Sequence, residues 1–192
     1  MVRWAASSRI WSPDAWVAAH RAVQAAENAA DVLRCAAATR CLAEVHMRAG
    51  EYAEATRVAF LAATYLYGIK TLDKPVSLVL RGSSMLSAAA AAARRGDGRE
   101  ARASLRAAVM CAEDLGEDRA DLATVFGPTN TAIHEVAVAI ELGDARQAEN
   151  AAPEELRHHR LTRRVVQEML ARESRSSGLR ELAGRCGVPD QG

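Results

Sequence analysis

Aromatic residues, prolines and lysines are all scarce in this chain of 192 residues. Aromatics make up 4% of it, prolines number five, and 23 of the 25 basic residues are arginine. The arginine bias reads most simply as high-GC coding. Alternating apolar and polar positions, the mark of half-buried strands, are essentially absent, which excludes a β-rich fold. The longest small-residue stretch, Ala88 to Ala93, is six residues long. It is expected to lie inside an amphipathic helix, and no apolar run reaches the ~20 residues a membrane span requires. Met1 to Ile10 carries Arg3 and Arg9 but no apolar core ahead of Ser12-Pro13-Asp14, so it does not read as a signal peptide.

Charge of one sign is missing too. The formal net charge is +1, from 25 basic and 24 acidic residues. That balance argues against a strongly nucleic-acid-binding chain and against an acidic tail. Cys35, Cys41, Cys111 and Cys186 include no pair at metal-ligand spacing. A disulfide framework is not expected in a chain of this length, and a reducing cytoplasm is its natural home.

Alanine is abundant, at 42 residues. It loses no side-chain entropy in a helix and lets helices approach closely. Within this background a glycine followed five positions later by an alanine recurs three times. The pairs are Gly50 and Ala55, Gly96 and Ala101, and Gly143 and Ala148, with the glycines 46 and 47 residues apart. Glycine lets the chain leave one helix in a left-handed turn. The alanine, one turn into the next helix, lets the two arms cross closely. The spacing predicts an all-α array of stacked helix hairpins.

The periodicity predicts helices over 13–30, 31–48, 51–67, 75–95, 99–115 and 129–142. Residues 1–12 are expected to fray. A repeat domain is expected over 13–172, and a linker with a short helix over 173–192. Gly116 to Asp121 reads as a polar loop, and Phe126-Gly127-Pro128-Thr129 as a turn that opens a helix. In the second helix, Val32, Cys35, Ala36, Leu42, Val45 and Ala49 are the expected buried positions. The third glycine turn starts on schedule but meets Pro153 after ten residues, so its second arm is expected to be cut short.

These stretches resemble tetratricopeptide-type repeats. More narrowly, Leu86 to Asp97, Phe126 to His134, Val138 to Asp144, Ala152 to Arg157 and Gly178 to Ala183 resemble the C-terminal region of actinobacterial XRE-type helix-turn-helix transcriptional regulators. The resemblance covers about Asp14 to Val188. It implies a right-handed α-solenoid of antiparallel hairpins that senses a ligand and mediates self-association, with DNA reading supplied by another domain. The residues of that DNA-reading domain have no counterpart here, since the repeat-like helices begin by about residue 13.

No catalytic constellation stands out, and the chain is expected not to be an enzyme. His134-Glu135 begins like a zinc-protease motif, but position 138 is valine, so no metal is expected there. Gly96-Asp97-Gly98 lacks the lysine of a phosphate loop and the acidic ladder of a calcium loop. No cofactor is expected. Thr129, Asn130, His134 and Tyr52 are the candidates for a ligand or partner groove. Their plainer readings are a helix cap for Thr129 or Asn130 and hairpin packing for Tyr52. Arg157, Arg160 and Arg164 share one face of a helix in the basic cluster with His158, His159 and Arg163. They could meet an acidic partner or nucleic acid, although aromatics for base stacking are absent there.

The expected function is a binding or regulatory module whose partner is a protein or peptide, a small molecule, a second copy, or a related full-length regulator. The alternatives are a truncated remnant without independent activity and direct nucleic-acid contact through 157–164. The charge balance argues against the latter.

Overall fold

A computed structural model describes residues 13–69, 73–144, 163, 167, 180 and 183–188. Within residues 13–144 six helices and one hairpin follow in order: α1 (Pro13–Asn28), α2 (Val32–Ala49), α3 (Tyr52–Thr64), α4 (Lys74–Arg94), α5 (Gly98–Leu115), β1 (Arg119–Asp121), β2 (Thr124–Phe126) and α6 (Pro128–Glu141). The chain is mostly helical, as its composition requires.

The helix ends follow local chemistry. Asp31, Asp73 and Asp97 cap α2, α4 and α5, each accepting from a backbone N–H three residues on at 3.0–3.1 Å. Such a cap contributes about 1 kcal/mol. At the other end, Gly50, Gly96 and Gly143 adopt φ of 82°, 82° and 73°. Each glycine N–H donates to the carbonyl three residues back, and the next N–H donates to the carbonyl five back. That is the doubly bonded left-handed helix stop.

The same pair of bonds closes α1, where Ala30 stands in the glycine's place at φ 50°. Asp31 follows it and starts α2. Helix α1 therefore ends in the same turn as α2, α4 and α6. It escapes a glycine-based reading because the residue is alanine.

Consecutive helices pack on one another from α1 through α6. In addition α2 packs on α4, and α4 on α6. The helices that lead into the glycine turns thus form one row, with α3 and α5 packed between its members. The Gly-to-Ala rule places its alanines in the core: Ala55 and Ala101 are fully buried. Ala49 is exposed instead of buried, because it is the last residue of α2, at the mouth of the turn.

Two findings depart from expectation. First, α4 is not amphipathic. Residues 78–80, 82–89 and 91–93 are all buried, and α2, α3, α5, α6 and the hairpin surround it. By length and composition α4 could cross a membrane, yet 78% of its apolar window lies inside the fold. It is the central core helix, and its alanines and serines let five neighbours approach.

Second, the stretch between α5 and α6 holds a small antiparallel sheet. Arg119 pairs with Phe126, Ala120 with Val125 and Asp121 with Thr124. The two-residue turn places Leu122 and Ala123 at φ 45° and 60°, the conformation that Asn-Gly adopts without strain. Phe126 is fully buried on α4 and anchors the ribbon. A hairpin this short is marginal alone, and the helix supplies what it lacks.

Candidate binding face

The row α2–α4–α6 carries polar side chains that meet between helices. Ser87 Oγ of α4 donates to Glu44 Oε1 of α2 at 2.7 Å. Arg94 Nε of α4 donates to Glu141 Oε1 of α6 at 3.2 Å, with both side chains about a quarter exposed. His134 of α6 is partly buried. Burial holds its imidazole below the ordinary value, the Glu44 charge opposes that, and the Arg94 charge adds to it. The charges of Glu44 on α2 and Arg94 on α4 thus both reach His134. Beside it, Glu135 has its carboxyl raised by burial.

The glycine register relates these residues. Ser87 and His134 each stand nine residues before their glycine, and Arg94 and Glu141 each stand two before. Arg94 and Glu141, at equivalent places in successive arms, meet across the row. Of this set, only His134 stood out in the sequence. Ser87, Arg94 and Glu141 are found by counting back from Gly96 and Gly143 rather than by motif, and Glu44 only by its contact with Ser87.

Thr129 and Asn130 are partly buried in the first turn of α6. Neither caps it. Gly127 occupies the cap position without a side chain, and Asp118, eleven residues upstream, accepts from the Thr129 N–H at 3.0 Å. A Cβ on Gly127 would stand 2.3 Å from Asp118 Oδ1, so glycine is needed for that approach. Thr131 Oγ1 closes the turn on the Gly127 carbonyl at 2.8 Å. This frees the Asn130 side chain from capping, and it shares a face of α6 with His134, four residues on. Tyr52 belongs to a different cluster. At the start of α3 it packs on Met47, Ala55 and Ala91, filling the gap between arms.

Arg157, Arg160, Arg164 and Ala148 lie outside the described residues. Arg163, from the same basic cluster, donates to the Gly187 carbonyl at 2.7 Å. Cys35, Cys111 and Cys186 are buried and Cys41 is exposed. Burial raises the thiol pKa of Cys35 and Cys111. Among the described residues no group of three or more His, Cys, Asp or Glu side chains could hold a metal ion.

Chemically, this face offers paired charges, an amide and a neutral imidazole on a rigid helical floor. Such groups can exchange one hydrogen-bond partner for another without large movement, as recognition requires. No protein-family model, curated protein or solved structure matches the chain.

Proposed function

We propose that this chain is a non-catalytic binding module, a right-handed solenoid of tetratricopeptide-like hairpins that receives a protein or peptide on its α2–α4–α6 face. The observation that carries the reading is the set of polar pairs bridging the three helices, Ser87 with Glu44 and Arg94 with Glu141, on a row that also holds the partly buried His134. A purely structural row could be closed with alanine, which this chain uses freely elsewhere. Holding charges half-desolvated instead costs stability unless a partner uses them.

The recurrence of one helix-stop geometry at Ala30, Gly50, Gly96 and Gly143 supports the repeat reading. So does contact between alternate helices. The resemblance to sensor regions of helix-turn-helix regulators makes self-association or a related full-length regulator the favoured partner, in a cytoplasm that keeps the four cysteines free.

The test combines light scattering with capture from extract of the source cell, using the full chain and its Arg94→Ala and His134→Ala variants. A dimer or a captured partner that weakens at least tenfold in both variants supports the reading. A monomer that captures nothing, or capture unchanged by either substitution, overturns it.

A further inference from the structure

The hydrogen bonds that bridge the polar row also fix how its helices are aligned. Ala36 clusters with Leu80 and Met47 with Ala91, so α2 and α4 run in the same direction. Phe126, just before α6, meets Gly82, and Glu141 at its end meets Arg94, so α4 and α6 do too. Glu44 and Ser87 are 43 residues apart, and Arg94 and Glu141 are 47 apart. The same two separations, taken one turn earlier than Glu44 and Ser87, select Arg40, Ser83 and Asn130. Arg40 stands four residues before Glu44 and so shares its face of α2. Ser83 shares the stripe of Ser87 and Arg94 on α4, and Asn130 that of His134 and Glu141 on α6.

This second rung holds a donor without an acceptor. Arg40 is partly buried. Its Nε is shut off from water and has no hydrogen-bond partner, and it is the one ionisable group among the described residues in that state. Its Nη2 reaches Cys41 Sγ at 4.0 Å, and sulfur is a weak acceptor. Glu44, one turn along, is bonded to Ser87 instead. Arg81, also partly buried without a carboxylate, differs in that its guanidinium stacks on the Tyr67 ring, 4.3 Å from the centroid. Ser83 is buried and turns its hydroxyl proton to the Leu80 carbonyl at 3.1 Å. It thereby makes a small floor between Arg40 and Asn130. The side-chain amide of Asn130 has no hydrogen-bond partner among the described residues.

We propose that Arg40 and Asn130 together hold one carboxylate of a peptide lying in this row. The proposal rests on the binding role of the α2–α4–α6 face and names what that face selects. A desolvated guanidinium donor gains most from an anionic acceptor, and the edge formed by Nε and one Nη matches a carboxylate with two parallel bonds. The other charges of the row limit the ligand to a single negative charge. Arg94 is paired with Glu141, Glu44 adds a second carboxylate, and burial keeps His134 neutral. One free cation beside two carboxylates suits a monoanion and repels the phosphate chain of a nucleic acid.

The experiment is affinity capture of free random twelve-residue peptides from solution by the immobilised full chain, with mass spectrometry to read the sequences. Captured peptides are remade in two forms, one with side-chain acids as amides and one with the C-terminus amidated, and titrated by fluorescence anisotropy. One of the two forms should bind at least tenfold more weakly, which identifies the source of the carboxylate. Arg40→Gln should weaken the parent peptide to a similar extent and cost the weakened form nothing further. Arg81→Gln, on the far side of α4, should leave binding unchanged. Should Arg40→Gln fail to fold by circular dichroism, Asn130→Ala and the amide changes decide. Peptides that weaken tenfold with Arg94→Ala but are indifferent to Arg40→Gln, or to both amide changes, would overturn this proposal and leave the binding role of the face standing. No captured peptide, or binding indifferent to Arg94→Ala as well, would overturn both.

Discussion

The ring of Phe126 rests directly on the backbone of Gly82. A Cβ added to Gly82 would stand 2.0 Å from the ring's Cζ. Glycine in the middle of a helix costs about 1 kcal/mol relative to alanine, and here that cost admits a fully buried aromatic side chain.

Gly82→Ala should therefore destabilise the chain, by about 1–3 kcal/mol, although it replaces a poor helix former with the best one. Phe126→Ala should cost about 3–5 kcal/mol. The double variant should be less unstable than the two costs added, because the methyl enters space the ring has left. Urea denaturation of the four proteins measures this, and strict additivity would show that the two residues are independent.

Ala30→Gly should raise stability by about 1 kcal/mol. Ala30 stands at φ 50° in the stop after α1, and a left-handed conformation strains any residue with a Cβ by about 1–2 kcal/mol. Glycine's greater freedom in the unfolded chain returns part of that gain. Gly50→Ala, with φ 82° and open space around the missing Cβ, should lose a similar amount. Melting curves that shift in the same direction for both substitutions would contradict the account.

The hairpin turn carries the same strain twice. Leu122→Asn with Ala123→Gly should relieve it and raise the melting temperature. Since Leu122 is 40% exposed, little burial is lost. A lower melting temperature would mean that the leucine has a packing role.

Acid should weaken the fold through His134. Burial holds its imidazole below the ordinary 6.5, so the unfolded chain takes up that proton first. The histidine's contribution is complete above about pH 6.5 and is lost as pH falls toward the depressed folded value. His134→Gln should flatten the pH dependence of the urea midpoint in this window. Equal slopes in the two proteins would rule out the histidine as its source.

Helix positions were legible in the sequence because glycine marks the ends and alanine fills the interiors, whereas the caps of Asp31, Asp73 and Asp97 emerge from the structure. The Gly-to-Ala spacing led to buried Ala55 and Ala101 for the reason it suggested, close crossing of two arms. Three things were hidden. Ala30 makes the glycine's turn without being glycine. The hairpin owes its place to a long-range contact of Phe126 with Gly82, and periodicity over three-residue strands carries no signal. The burial of α4 on every side arises from its position in the row, and a string of alanines and serines reads alike at a surface or a centre. At the candidate face, His134 stood out as a rare residue type, whereas Arg94, Glu141, Ser87 and Glu44 gain meaning only once the arms are set side by side.

The enclosure of α4 has a consequence for how the molecule comes apart. In a simple stack each hairpin can fray alone, starting from an end. Here α2 and α3 on one side, and α5, α6 and the hairpin on the other, all lean on one helix. Loosening either half strips cover from α4 and exposes its alanines to water. Amide protons throughout the row should accordingly exchange through one shared opening, as in a single cooperative unit rather than a chain of separable links.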